Sequence, residues 1–265
     1  MKKVFFTFML LSFSIVGACS DKEEKPNVPN KPQEEEHQSH ENQQESPKTN
    51  KEDTVASITQ AGVLKNIKDQ LKTNLPITLP KGLPITEGAF LTATTKAETN
   101  QVEIVFLESK EYLPINDIKL KQPDRATVIA RLSVQQYEST DETNKQISFE
   151  NFSQNGGQEV DLGFNIKGYQ DAGVGSLWTG WNEGRWAVAT HTRTDNPETG
   201  VKLAKQAVQF LETHMLPIPK QNGFAHLDVY ESGNLIVWQD GKLVYTLDSI
   251  KNPLKALEIA TAFYH

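Results

Sequence analysis

Trp181-Asn182-Glu183-Gly184-Arg185 and Trp238-Gln239-Asp240-Gly241-Lys242 are the two segments that decide the predicted fold. Each segment lies between two runs with the composition of β-strands. These runs are residues 176–180 and 186–191 around the first segment, and residues 235–237 and 243–247 around the second. The glycine of each segment supplies the left-handed backbone position that a three-residue hairpin loop with a bulge requires. We therefore expect two β-hairpins.

Each predicted hairpin is followed by an Asn-Pro pair, Asn196-Pro197 and Asn252-Pro253. Both pairs predict a helix start, because Asn is a favoured N-cap and Pro a favoured first helical residue. Apolar residues then recur at helical spacing, namely Val201, Ala204, Val208, Leu211 and Met215 in the first helix and Leu254, Leu257, Ala260 and Tyr264 in the second. The C-terminal third thus repeats a hairpin-helix unit. Only Trp, Gly and Asn-Pro are identical between the copies, so duplication and independent use of the same turn residues both explain the match.

The chain before these units predicts further helical and strand segments. We expect a helix over 54–74, an extended proline-punctuated segment over 75–84, strands over 89–96, 102–107 and 127–137, and short strands within 147–175. This order of elements predicts an α+β fold with an antiparallel sheet, flat or curved. Helices should pack on one face and leave the other open. The folded part is residues 54–265, as one domain or as two subdomains over 54–150 and 151–265.

The N-terminus has the pattern of an export signal. Lys2 and Lys3 precede an apolar run of about thirteen residues, which is too short to span a bilayer as a helix, and small residues then lead to Cys19. This segment resembles a bacterial lipoprotein signal, with Val16 where Leu is usual. The resemblance implies that residues 1–18 are removed and that Cys19, carrying a diacylglyceryl group, becomes the first residue of the mature protein.

The alternative is an ordinary secretory signal in which Cys19 occurs by chance. Cys19 is the sole cysteine of the chain and has no intramolecular disulfide partner, and an exposed unpaired thiol is a liability. Lipidation accounts for that thiol, and two acyl chains suffice for stable anchoring. We therefore expect a protein held at the extracytoplasmic face of the cell membrane.

Residues 19–53 predict a disordered polar stalk. After Cys19 the segment has ten acidic and five basic residues, which accounts for −5 of the net charge of −7, and almost no large apolar side chain. The folded part is mildly acidic, which argues against a nucleic-acid partner. His37 and His40 could hold Zn²⁺ or Cu²⁺ weakly, but a disordered strand does not position a full ligand set, and we favour a solvated run. We predict no cofactor and no metal site.

The sequence of the folded part lacks recognisable catalytic motifs. Gly173-Val174-Gly175-Ser176-Leu177 has the wrong order for a nucleophile elbow, and neither a His-Glu-x-x-His helix nor a phosphate-binding Gly-Lys-Ser/Thr ending occurs in the sequence. Glu183 and Asp240 are interpreted as turn residues. The dispersed histidines are interpreted as surface or core residues, and these are His191, His214, His226 and His265. No catalytic residue is predicted.

The tryptophans are the best indication of function. Trp178, Trp181 and Trp186 fall within nine residues, and Trp238 occupies the matching position of the second hairpin. Indole offers a large rigid surface with one donor, which suits recognition of a glycan, a peptide or a lipid headgroup. Packing in the core is the competing interpretation.

Two further segments carry a second resemblance. Leu79-Pro80-Lys81-Gly82, and Val237-Trp238-Gln239-Asp240-Gly241 running into Val244-Tyr245-Thr246-Leu247, resemble extracytoplasmic domains of unknown function in spore-forming bacteria. Those domains are similar to the lipoprotein-carrier fold, a curved antiparallel sheet wrapped on helices. The resemblance covers residues 79–263 and implies fold and location rather than activity.

Together these patterns predict a membrane-anchored extracytoplasmic lipoprotein that acts as a non-enzymatic binding module. Its expected partners are the membrane, through the anchor, and an envelope protein, a glycan or a lipid. One alternative is a carrier-like sensor that acts by protein contact. The other is an envelope hydrolase, which would place convergent carboxylates or a histidine in a cleft.

Overall fold

The structure, a computed structural model, describes residues 58–264. The predicted signal peptide over 1–18, the predicted lipidation site Cys19 and the predicted stalk over 19–53 lie outside the described residues, as does the pair His37 and His40. Within the described part the chain has the predicted α+β fold.

Among the described residues, ten strands form one sheet. In chain order they are β1 (Phe90–Ala97), β2 (Gln101–Ser109), β3 (Thr127–Gln136), β4 (Gln158–Gly163), β5 (Ile166–Gly173), β6 (Ser176–Glu183), β7 (Trp186–Arg193), β8 (Gly223–Asp228), β9 (Asn234–Asp240) and β10 (Leu243–Ile250). Their order across the sheet is β1-β2-β3-β10-β9-β8-β7-β6-β5-β4. Every neighbouring pair is antiparallel except β7 and β8, which run parallel. Because β3 pairs with β10, the segments 54–150 and 151–265 contribute to the same sheet.

The helices are α1 (Gln60–Gln70), α2 (Thr140–Asn144), α3 (Pro197–Leu211) and α4 (Pro253–Thr261), with short 3₁₀ turns at Ile118–Lys121 and Phe152–Gln154. Both Asn-Pro pairs begin a helix as predicted. At α4 the side chain of Asn252 accepts hydrogen bonds from the backbone N–H groups of Leu254 and Lys255, whereas Asn196 makes no such bond at α3. Among residues 58–264, no helix combines the length and apolarity of a membrane span.

The two hairpins are tighter than the sequence predicts. Glu183 pairs directly with Trp186, and Asp240 with Leu243, so each turn has two residues and no bulge. Gly184 and Gly241 occupy the first turn position with φ of 57° and 62°. A two-residue turn with a positive φ at this position matches the twist of the strands, which removes the need for an extra residue.

The main core lies between the sheet and the three longer helices. Helix α3 packs on β6 and β7 and also reaches the edge strand β4, so this end of the sheet curves around it. Helix α4 packs on β8, β9 and β10, and α1 packs on β1. The duplication remains a prediction, because the two hairpin-helix units differ in how the sheet joins them: β7 has a parallel neighbour and β10 an antiparallel one.

The sequence predicts that the opposite face of the sheet is open. In the structure this face is partly covered. The long connection between β3 and β4 crosses part of it and carries apolar side chains. Ile147 packs with Val237 and Val244, and Phe152 packs with Ala187 and Ala189. Burial of these side chains holds the connection against the sheet. Other parts of this face stay partly exposed, namely the stretch near β5 to β8 and the stretch of β2 and β3 that carries Glu103 and Arg131.

Candidate functional site

An aromatic cleft occupies the face of the sheet that is opposite the three longer helices. Its volume is about 250 Å³. We call this site the aromatic cleft, and its walls are the rings of Phe152, Tyr169, Trp178 and Phe224. Gly180 and Ala189, which face each other on β6 and β7, line its floor.

The floor of the cleft depends on a glycine. A side chain at position 180 would collide with the ring of Phe152, so only glycine lets this ring lie flat on the sheet. Asn182 then anchors the same segment, since its Oδ1 accepts the N–H of Phe152 at 3.0 Å and its Nδ2 donates to the carbonyl of Glu150 at 2.7 Å. The cleft is therefore built by two polar and several apolar contacts to one connecting segment.

The rim of the cleft is polar and acidic. Glu150 and Asp171 contribute carboxylates, and Ser148 and Asn155 contribute a hydroxyl and an amide. One oxygen of Glu150 accepts a hydrogen bond from the Asn155 amide at 3.1 Å. Among the described residues that line the cleft there is no Lys or Arg. The site thus offers flat apolar surfaces and several hydrogen-bond acceptors, and it repels anionic groups.

Beside the cleft lies a group of hydrogen-bonding side chains that we call the polar cluster, consisting of Ser176, His191, His226 and Asp228. The Oγ of Ser176 is 3.0 Å from Nε2 of His191, and Nδ1 of His191 is 2.9 Å from Oδ2 of Asp228. The ring of Trp178 lies 4.7 Å from that of His191 and 4.8 Å from that of His226, between centroids. Trp178 therefore belongs to both the cleft and the cluster.

Strand register explains why these residues meet. In the parallel β7–β8 pair, His191 lies opposite Asp228, and Ala189 lies opposite His226. In the antiparallel β6–β7 pair, His191 lies opposite Trp178. Side chains two residues apart share a face, so Ser176 joins the same surface.

The carboxylate of the cluster is firmly held. Asp228 is only 6% exposed, and its Oδ1 accepts the backbone N–H of Tyr230 at 2.6 Å. Its own N–H donates to Oδ1 of Asn234 at 2.8 Å, and the Asn234 amide donates to the carbonyls of Ile250 and Lys251. The buried Asn234 thus connects the end of β8 to the end of β10.

His226 is the unusual member of the cluster. Its Nε2 is buried and has no hydrogen-bond partner among the described residues. Burial lowers the pKa of His226, an effect that nearby Asp228 opposes and His191 reinforces. The neutral imidazole is consequently the favoured form, with a ring nitrogen that the protein itself leaves unbonded.

The four tryptophans divide between the two faces. Trp181, Trp186 and Trp238 are 0%, 5% and 4% exposed in the main core, so they offer almost no surface to a ligand. Trp181 lies three residues after Trp178 on the same strand, and the period of two sends their indoles to opposite sides. Of the predicted ligand surface, only Trp178 remains at the site.

The other candidate residues lie elsewhere. Glu183 is half-buried and accepts the indole N–H of Trp181 at 2.7 Å, and burial raises its pKa against the effect of that bond. Asp240 ends β9 before the second hairpin turn. His214 is exposed and stacks on Phe210, and His265 is outside the described residues.

Sequence reasoning missed the polar cluster because its members are far apart along the chain. His191 and Asp228 meet only through the parallel pairing of β7 and β8, which a sheet predicted as antiparallel does not contain. The one local signal was His226-Leu227-Asp228, where two ligand-type side chains share a face of a single strand.

The order Ser176, His191, Asp228 is also the hydrogen-bond order of serine hydrolases. Acyl transfer requires, in addition, N–H donors directed at the oxyanion. What the hydrogen bonds show directly is that both ring nitrogens of His191 have partners, which orients the ring.

Comparison of the sequence and the structure with protein-family models, curated proteins and solved structures gave no match.

Proposed function

We propose that this chain is a lipid-anchored extracytoplasmic binding protein whose aromatic cleft takes a neutral glycan. The observation that carries the proposal is the composition of the cleft, in which four aromatic rings are combined with an acidic, acceptor-rich rim. A sugar ring has an apolar face that packs on aromatic surfaces and hydroxyl groups that donate to carboxylates and amides. Hydrogen bonds to ionised acceptors are the stronger kind.

The charge of the rim favours a glycan over the other expected ligands. Glu150 and Asp171 lie at the cleft without a basic residue among its described lining. A phospholipid headgroup would bring a phosphate next to these carboxylates, and like charges that are close together repel each other. Anchoring through Cys19 would keep the cleft near envelope glycans, with a stalk that spans roughly 30 Å as a flexible coil.

Titration of the full chain with neutral oligosaccharides, followed by calorimetry, tests the proposal. Tyr169→Ala removes a ring from the cleft, and Asp171→Asn removes a charge but keeps its shape. Each should weaken binding about tenfold, equivalent to roughly 1.4 kcal/mol. Glu87→Gln, an exposed carboxylate away from the cleft, is the matched control and should bind as the parent does.

Three results would overturn the proposal. The first is binding of anionic phospholipid vesicles with none of the oligosaccharides, and the second is unchanged affinity in both cleft variants. The third is covalent labelling of Ser176 by a fluorophosphonate probe, which would indicate a hydrolase. For the anchor, Cys19→Ala should move the protein from the membrane fraction to the soluble fraction.

A further inference from the structure

The histidines and the aspartate of the polar cluster converge on one point of the sheet. One ligand atom from each of His191, His226 and Asp228 lies within 4.8 Å of the other two. Two imidazoles and a carboxylate are ligand types that zinc binds. We propose that these three residues form a site for a divalent cation of the zinc type. The site goes beyond glycan binding and stands without it, since it uses none of the polar groups of the cleft rim.

The unbonded nitrogen of His226 supports the proposal. A buried polar atom without a partner costs free energy, and such atoms are rare in folded proteins. Nε2 of His226 is one of only two buried side-chain polar atoms without a partner in the part of the chain that the structure describes. A cation shared with Asp228 would accept its lone pair.

The hydrogen bonds around the cluster are those that a metal site uses to orient its ligands. A ligating histidine typically donates its second N–H to a neighbouring acceptor, which fixes the ring and its tautomer. Ser176 stands 3.0 Å from Nε2 of His191, which leaves Nδ1 to face the carboxylate and the cation. The backbone N–H of Tyr230 donates to the carboxylate of Asp228 and orients it, whereas Asn234 accepts the backbone N–H of Asp228 and fixes its main chain.

The geometry requires a small adjustment. Ligands at 2.0–2.1 Å from a tetrahedral zinc lie about 3.4 Å apart, so no pair of ligand atoms has to close by more than about 1.4 Å. The strands fix the backbone, so rotation of the imidazoles supplies this movement. An open hollow of about 640 Å³, lined in part by Ser176, His191 and Tyr230, reaches the His191 side of the cluster. Three protein ligands would leave a fourth position for water or for a ligand from this hollow.

The test is a calorimetric titration of the full chain with Zn²⁺ alone. The parent carries His37→Ala and His40→Ala, which removes the other pair of neighbouring imidazoles. We expect one zinc per chain. His226→Gln and Asp228→Asn should each lower the affinity more than about 100-fold, since loss of an outer partner alone costs 10–100-fold. Ser176→Ala removes only an outer partner of His191, so it should lower the zinc affinity by that smaller factor of about 10–100. His214 is an exposed histidine outside the cluster, and His214→Gln should bind zinc as the parent does.

A second measurement keeps the test decisive if Asp228→Asn does not fold. Zinc should shift the ring ¹⁵N resonances of His191 and His226 and leave those of His214 unchanged. His226→Gln should fold, because Nε2 of His226 has no hydrogen bond to lose. Absence of binding in the parent, equal affinity in His226→Gln, or unshifted cluster resonances would each overturn the proposal. None of these outcomes bears on oligosaccharide affinity, so the two proposals fail separately.

Discussion

The two faces of the sheet use the same kinds of residue for different purposes. On the face covered by the three longer helices, Trp181, Trp186 and Trp238 are buried and fill the core. On the opposite face, Trp178 is half-buried beside two histidines, and a connecting segment covers only part of the strands. Residue type alone therefore does not identify a binding surface, because the alternation of one strand places neighbouring tryptophans in both environments.

The largest expected effect is a loss of stability, and it should differ between Trp181 and Trp178, which lie on the same strand. Trp181→Ala should destabilise the protein by about 3–5 kcal/mol, because it empties a fully buried site that the helices cannot refill. Trp178→Ala should cost less than half as much, since its ring already contacts solvent and the open face can relax. Urea denaturation followed by circular dichroism measures both losses. Equal losses would show that the site face is packed as tightly as the core.

A pair of glycines gives a sharper comparison with a smaller effect. A Cβ at Gly223 would lie 2.7 Å from the ring of Trp186. This ring is held in place because its indole N–H donates to the carbonyl of Pro217. Gly223→Ala should therefore cost about 1–3 kcal/mol, as overpacking of a core does. Gly180→Ala meets the ring of Phe152 at least as closely, on a segment that Asn182 anchors, and should cost a similar amount.

The two glycine variants differ in what they do to the cleft. Gly180→Ala should displace Phe152 and weaken oligosaccharide binding, whereas Gly223→Ala should leave binding by the folded fraction unchanged. Thermal unfolding and calorimetry on the same samples separate the two effects. If Gly180→Ala costs more stability than Gly223→Ala, the connecting segment is held more rigidly than the core ring.

Local patterns in the sequence predict most of the fold. The Asn-Pro pairs mark the starts of α3 and α4, and strand alternation places β1, β2 and β3 within a few residues of their bounds. These features depend on residues close together in the chain. The parallel neighbours β7 and β8 are separated by a whole helix, and their pairing depends on the packing of α3 on the sheet.

The candidate site was much less predictable for the same reason. In the sequence, Gly180 is an ordinary glycine within a predicted strand. Only the position of Phe152 in the structure shows why a side chain is excluded there. His191 and His226 each look like ordinary histidines until register brings them to one face with Asp228. Trp178 was identified from its residue type, but its separation from the three core tryptophans required the faces of the sheet to be known.

The smallest expected effect concerns Glu183, at the end of β6, and tests whether an ionised carboxylate there costs stability. Burial raises the pKa of Glu183 above its ordinary value of 4.5, although the indole N–H of Trp181 donates to it. The folded state therefore binds this proton more tightly than the unfolded state does, and stability falls as the pH rises from the unfolded pKa through the folded one. Glu183→Gln keeps an acceptor for Trp181 and removes this loss of stability, so it should raise the Tm slightly at neutral pH. At about pH 3.5 both states of the parent are protonated, and the gain should disappear. A lower Tm for the variant at neutral pH would mean that the charged hydrogen bond to Trp181 outweighs the cost of burial.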